Sequence, residues 1–170
     1  MHERILILDF GSQYTQLIGR RVREWKVFSQ IVPYHSAPPP DDSIKGVILS
    51  GSPYSVKGED APTIDLDKYL GKVPVLAICY GAQLITRESG GTVEASRTRE
   101  FGKAHLSDID RDDPLFHGIE ENAQVWMSHG DSMKSLGPSF EIIARTADIP
   151  VAAFHSTAWE HPVYGLQFHP

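Results

Sequence analysis

The sequence contains a single cysteine, Cys79, placed where the apolar run VPVLAI (residues 73–78) meets a helix-like run opening with Tyr80, Gly81, Ala82 and Gln83. A strand-to-helix corner lifts a side chain out of a sheet and aims the positive end of a helix at it. A thiol there is a candidate nucleophile. The helix terminus favours the thiolate, a nearby imidazole takes the proton, and the backbone N–H of Tyr80 is available to an oxyanion. The competing reading is a small hydrophobe in the core, the usual station of an unpaired cysteine. Placement alone does not separate the two.

A base must come from eight histidines. His2 is terminal, and His35, His117 and His161 lie in turn-like segments flanked by proline or glycine, which reads as surface. His105 and His155 fit hydrogen-bonded structure on strand faces. His129 and His169 remain, each following a strand-like run, and the pattern does not choose between them. No His, Cys or acidic residues share compact zinc-ligand spacing, so metal chemistry is not expected. The turn SGSP (residues 50–53) is either a tight connection or a second backbone donor facing an oxyanion. Neither a G-x-x-x-x-G-K-[ST] loop nor a G-x-G-x-x-G fingerprint occurs, so no nucleotide site is expected in this chain.

The elements that must position these residues follow from periodicity. RILIL (residues 4–8) and GVIL (46–49) are short continuous apolar runs, as in strands buried on both faces, and each ends in polar and glycine residues. Tyr14, Ile18, Val22 and Trp25 recur at helical spacing with arginines between them, which predicts a helix packed by that stripe, with Ser12 available as its cap. Residues 28–32 predict a strand, and APPPDD (37–42) a loop. A short helix is expected near residues 65–70, and the helix after Cys79 ends at Gly90 and Gly91. Beyond Gly91 come short strand-like segments near 91–94, 102–106, 125–127, 141–145, 151–154 and 163–168. The expected fold is therefore α/β: a three-layer open sheet, mostly parallel and flavodoxin-like, with antiparallel strands added in the second half. Ligands of such sheets bind beyond the carboxyl ends of the strands. The polar clusters at residues 9–13, 50–53, 79–83 and 128–131, with His169, fall at such ends.

A length of 170 residues with 41% hydrophobic content suits one domain with a substantial core. The net charge of −6, without a basic stripe, argues against nucleic acid as a partner. A lone cysteine precludes an internal disulfide, no secretory signal is visible at the start, and no apolar run could span a bilayer. A soluble, cytoplasmic chain with no membrane partner is expected.

The elbow C-x-G-x-Q at Cys79, Gly81 and Gln83, with the closing FHP through His169 and Pro170, resembles the class I (triad) glutamine amidotransferases. The stretches LDFGSQYTQLIGRRVRE (8–24), ILSGSP (48–53), GGTVEAS with REFG (90–102), VWMSHGD (125–131) and YGLQFHP (164–170) extend the likeness over the whole chain. FGSQYTQ and WMSHGD point to the branch whose ammonia aminates a purine nucleotide. The resemblance implies that Cys79 attacks the side-chain amide of L-glutamine and that His169, not His129, manages the protons. It places the oxyanion against the N–H groups of Ser52 and Tyr80, and the amino-acid end of glutamine against Gln83 and the backbone around Ser128 and His129. Gly51 would shape the pocket floor.

The same resemblance implies no cofactor in this domain. ATP and magnesium would belong to a synthetase domain of the same polypeptide, and the full-length enzyme would be a homodimer. Two departures stand out. Ser52 occupies a position where the family usually has a second glycine, and the family's acidic triad member is expected just beyond Pro170. Residues 1–170 thus read as a glutaminase domain cut at its C-terminus, without its synthetase and dimerisation domains, and with His169 liable to fray. Two alternatives stay open: another cysteine hydrolase, such as a γ-glutamyl hydrolase, and a silent domain that binds glutamine or a partner.

Overall fold

The structure, a computed structural model, describes residues 2–170, the side chains of residues 97–100 excepted. In chain order its elements are β1 (Arg4–Asp9), α1 (Thr15–Glu24), β2 (Ser29–Pro33), β3 (Ile44–Leu49), β4 (Val75–Ile78), α2 (Tyr80–Glu88), β5 (Thr92–His105), β6 (Gln124–Ser135), β7 (Phe140–Ala144), β8 (Ala153–Ser156) and β9 (Val163–Leu166). Seven strands form one sheet in the order β2-β1-β3-β4-β9-β8-β7. The first five pair in parallel, and β8 and β7 close the far edge antiparallel.

Strand alternation assigns the two faces. Leu6 and Leu8 of β1, with Val47 and Leu49 of β3, join the cluster that holds Ala82, Leu84 and Ile85 of α2. Ile5 and Ile7 point the other way and meet Ile18 and Val22 of α1. Three layers result, with helices on opposite faces of the sheet. Leu6, Ile7 and Leu8 are wholly buried, and each such side chain contributes about 1.5–3 kcal/mol on leaving water. Among the described residues no helix is long and apolar enough to cross a membrane.

Several expectations shift. Trp25 lies one residue beyond α1 and is 84% exposed, so the packing stripe ends at Val22. The chain turns out of the helix there through Lys26, whose φ is 60°. Ser12 does not cap α1; its hydroxyl accepts from the N–H of Tyr14 instead. The helix expected near residues 65–70 is a single tight turn over Leu66–Lys68.

The larger change concerns the two segments expected near 91–94 and 102–106. They are one strand, β5, paired antiparallel with β6 in a separate two-stranded ribbon. Met127 of β6 packs in the cluster with Leu166 and Phe168, whereas Met133 packs in the cluster with α2. The ribbon therefore passes from one face of the sheet to the other, and the stretch between those methionines crosses the carboxyl ends of the strands.

On the outer strands His155 of β8 joins two acids, with Nδ1 2.5 Å from Asp113 Oδ2 and Nε2 3.2 Å from Glu141 Oε2. Burial alone would lower the pKa of His155, but the hydrogen bonds and charges of Asp113 and Glu141 outweigh it and raise it. Asp113 is buried and also caps the turn Pro114–Phe116 by accepting from the N–H of Leu115. A raised folded pKa means that the clamp stabilises fully below the unfolded imidazole pKa of about 6.5 and fades as pH rises through the folded value. His155→Gln is therefore expected to cost more stability at pH 6 than at pH 9 in urea titrations. An equal cost at both pH values would show that the ring acts by packing alone.

Candidate active site

The flavodoxin-like order puts a switch point between β1 and β3, where the loops that follow them part and leave a crevice. The crevice is a cleft of about 680 Å³ lined by Gly11 to Tyr14, Gly51 to Ser55, Cys79, Tyr80, Gln83, Ser128 to Asp131 and His169, among others. Buried Ser50 ties two of its walls together. Its hydroxyl accepts from the N–H of Phe10 at 2.9 Å and donates to the carbonyl of Gly51 at 2.9 Å.

Cys79 stands between β4 and α2 with φ 51° and ψ −108°, a conformation that L-residues rarely adopt. Such strain is of order 1–3 kcal/mol and persists only where the surroundings impose it. Here three contacts do so. The N–H of Cys79 donates to Leu166 O at 2.6 Å, its carbonyl accepts from the N–H of Gln83 at 3.0 Å, and the N–H of Gly81 donates to Ser50 O at 3.2 Å. A Cβ on Gly81 would lie 2.7 Å from Leu49 Cβ, so only glycine lets α2 begin this close to β3.

Cys79 is 5% exposed, and its thiol donates to Ser128 O at 3.7 Å. Burial pushes its pKa up to about 11, overriding the opposing pull of the Tyr80 N–H and the Gln167 side chain; the charge of Asp131 adds to the rise. The helix terminus thus does not make a resting thiolate, because desolvation is the larger effect. Among the described residues no hydrogen bond joins the sulfur to an imidazole. His169 lines the same cleft, its ring packed at a tilt of 46° against Tyr14 with centroids 4.5 Å apart. Burial lowers the His169 pKa below the ordinary imidazole value, and proximity to His129 lowers it further, which favours the neutral ring.

His169 is docked on β6 in this structure. Its N–H donates to Trp126 O at 2.9 Å and its carbonyl accepts from the N–H of Trp126 at 3.1 Å, an antiparallel bridge that docks it on β6. The preceding Phe168 is buried against Leu166 and Met127.

The other expected residues gather in the same place. Tyr80 follows the sulfur, its ring buried beside Phe10 and its hydroxyl donating to Pro62 O at 2.5 Å. Ser52 is half-buried and not among the residues with positive φ, so this turn accepts a side chain where glycine is usual. A Cβ on Gly51 would sit 3.6 Å from Cys79 Cβ, which puts its backbone directly beneath the nucleophile candidate. Ser128 and His129 lie within β6, not in a loop after it. His129 is buried, with Nδ1 2.6 Å from Asp131 O and Nε2 3.3 Å from Met127 Sδ, and burial lowers its pKa. Gln83 is buried too, and its Nε2 donates to Asp131 O at 3.0 Å and to Gln167 Oε1 at 3.2 Å.

Sequence reasoning gives Tyr14 and Gln167 no site role and takes Asp131 only as the end of the 128–131 cluster. Tyr14 reads as one member of a helical stripe, and Gln167 as the odd residue in an apolar strand. A glutamine inside an otherwise apolar run is the available signal. Among the described residues no three His, Cys, Asp or Glu side chains converge as a metal cradle would require.

A cysteine at a strained elbow and an imidazole lining the same cleft are residue types that covalent catalysis draws on. The profile of the family Glutamine amidotransferase class-I matches residues 6–170, and the chain belongs to that family. Curated relatives named GMP synthase [glutamine-hydrolyzing] cover all of it, with 54% identity in Cytophaga hutchinsonii and 52% in Phocaeicola vulgatus. The chain spans about a third of the length of those relatives, 33% and 32% respectively. A Thermoplasma acidophilum crystal structure, of a protein provisionally described as one subunit of a GMP synthase, superposes with TM-score 0.80 at 30% identity, over 100% of this chain and 85% of its own. A glutamine amidotransferase from Thermotoga maritima shares the fold, with TM-score 0.75 at 19% identity over 99% of this chain and 76% of its own.

Proposed function

We propose that this chain hydrolyses glutamine through a glutamyl thioester on Cys79 and supplies the ammonia for amination of XMP to GMP. The observation that carries the reading is the strained Cys79 elbow, held over the open ends of the strands in a chain of this family. Burial favours the neutral thiol and the neutral imidazole at rest, so attack couples two events. Sulfur bonds to the amide carbon of glutamine while the thiol proton passes to His169. The oxyanion accepts from the N–H groups of Tyr80 and Ser52. His169 then protonates the leaving nitrogen, ammonia departs, and a water deprotonated by the same ring releases glutamate. Gly51, Gln83, Ser128 and His129 bound the space for the amino-acid end.

ATP and magnesium, which would drive the amination, find no phosphate cradle in this sequence and fit a synthetase region such as the longer relatives have room for. By the family resemblance, an acidic residue after Pro170 would orient the His169 imidazole, and the full-length enzyme would be a homodimer.

The test is ammonia release from free glutamine, run beside covalent labelling of Cys79 by diazo-oxo-norleucine. Turnover with labelling supports the reading. Turnover of peptides or polyglutamates instead would replace it with a γ-glutamyl hydrolase or peptidase. The bond from the sulfur to Ser128 O, rather than to an imidazole, favours a second reading, a domain that binds glutamine silently. Labelling without ammonia release would select it. If His169 is the base, the acid limb of kcat/KM should fall below 6.5, the ordinary imidazole value, because its neutral form persists to lower pH. A limb above 6.5 would point to a different group.

A further inference from the structure

We infer that Gln167 tunes the nucleophile: its buried carboxamide donates a hydrogen bond to Cys79 Sγ and favours the thiolate that must form during attack. The inference rests on Cys79 being the nucleophile. Gln167 has no exposed surface and lies between Leu166, the last residue of β9, and the segment bearing His169. A glutamine costs free energy in such a place unless its amide is bonded.

The orientation of the two amides follows by elimination. The carbonyl of Asp131 only accepts, so Gln83 turns Nε2 toward it at 3.0 Å. The same Nε2 lies 3.2 Å from the Gln167 carboxamide, which must therefore present Oε1 to it. That leaves Gln167 Nε2 facing the sulfur at 3.8 Å, as a donor. The backbone is held as well, since the N–H of Gln167 donates to Ala152 O at 2.8 Å. A chain Asp131–Gln83–Gln167–Cys79 thus connects the ribbon, α2, the His169 segment and the sulfur.

Besides the N–H of Tyr80, the sulfur has two polar partners with opposite preferences, Ser128 O and Gln167 Nε2. The carbonyl of Ser128 accepts from the thiol and would repel a thiolate, while the Gln167 N–H serves a thiolate better than a thiol. Ionisation therefore weakens the first contact and strengthens the second, so Gln167 holds the sulfur beside the His169 segment when the proton leaves. Among the described residues, the other ionisable side chains lining the cleft are Asp131, His129, His169, Tyr14, Tyr54 and Tyr80.

Two variants separate the donor from the packing. Gln167→Glu keeps an acceptor for Gln83 but turns an oxygen to the sulfur, and Gln167→Leu removes both bonds without adding charge. The readout is the pH dependence of Cys79 alkylation by iodoacetamide, which needs no turnover. Both variants are expected to raise the alkylation midpoint by about one pH unit or more, a tenfold slower reaction at neutral pH. Midpoints equal to that of the unaltered protein, in variants with unchanged near-UV circular dichroism, would overturn the inference. Should either variant fail to fold, the side-chain amide resonances of Gln167 in the unaltered protein supply the answer. They should titrate with the alkylation midpoint, and resonances that stay still across it would sink the idea. Absence of labelling by diazo-oxo-norleucine would count against the proposed function, whereas iodoacetamide would still report on Gln167.

Discussion

Cys79→Ala is expected to lower ammonia release from glutamine by about a thousandfold or more, because without the sulfur no covalent route remains and only oriented binding assists water. The fold should survive. The change removes one buried sulfur, and the backbone strain at φ 51° is the same for alanine as for cysteine. Glycine has no such strain, so Cys79→Gly, equally inactive, should be more stable than Cys79→Ala, by about 1 kcal/mol or more. The pair therefore measures two quantities at one position: the chemistry of the thiol and the cost of holding it. Ammonia release within tenfold of the unaltered chain would remove Cys79 from the mechanism. Equal stability of the two variants would show that the elbow is not strained.

The parallel half of the fold is readable because its strands are buried on both faces, and such strands leave continuous apolar runs that end where the loops begin. Residues 4–8 and 46–49 fall within β1 and β3, and Cys79 follows β4 directly. The second half resists for a different reason. In β6 buried and exposed residues alternate, and Ser128 and His129 stay paired with Phe101 and Glu100 up to a register shift at Gly130, so a polar cluster that looks like a loop is strand. The ribbon packs on two different clusters along its length, a tertiary fact with no local signature. Gln167 illustrates the limit best. Periodicity identifies which residues are buried, but not that one buried side chain touches a sulfur 88 residues away. Trp25 shows the converse, an apolar residue at helical spacing that one backbone turn puts into solvent.

Gly81→Ala should have the second largest effect, and through position rather than chemistry. The added methyl would lie 2.7 Å from Leu49 Cβ and 2.9 Å from Leu49 O, both on β3, whose residue 49 is 1% exposed. A buried backbone carbonyl cannot step aside, so the start of α2 must. That start carries the N–H of Tyr80, the sulfur and, one turn on, Gln83. Overpacking of this kind costs about 1–3 kcal/mol in stability. A displacement of the reacting groups by about 1 Å costs on the order of a hundredfold in rate, and the loss should appear mainly in kcat. Gly46→Ala provides the comparison on the same strand, since its methyl would meet only the flexible end of Ile5 at 3.1 Å and Pro74 O at 3.5 Å. Near-normal glutaminase in Gly46→Ala beside a hundredfold deficit in Gly81→Ala would tie activity to how closely the helix approaches the strand. Equal activity in the two would mean that the elbow tolerates a shifted helix, and that the sulfur is held by Leu166, Gln167 and Ser128 instead.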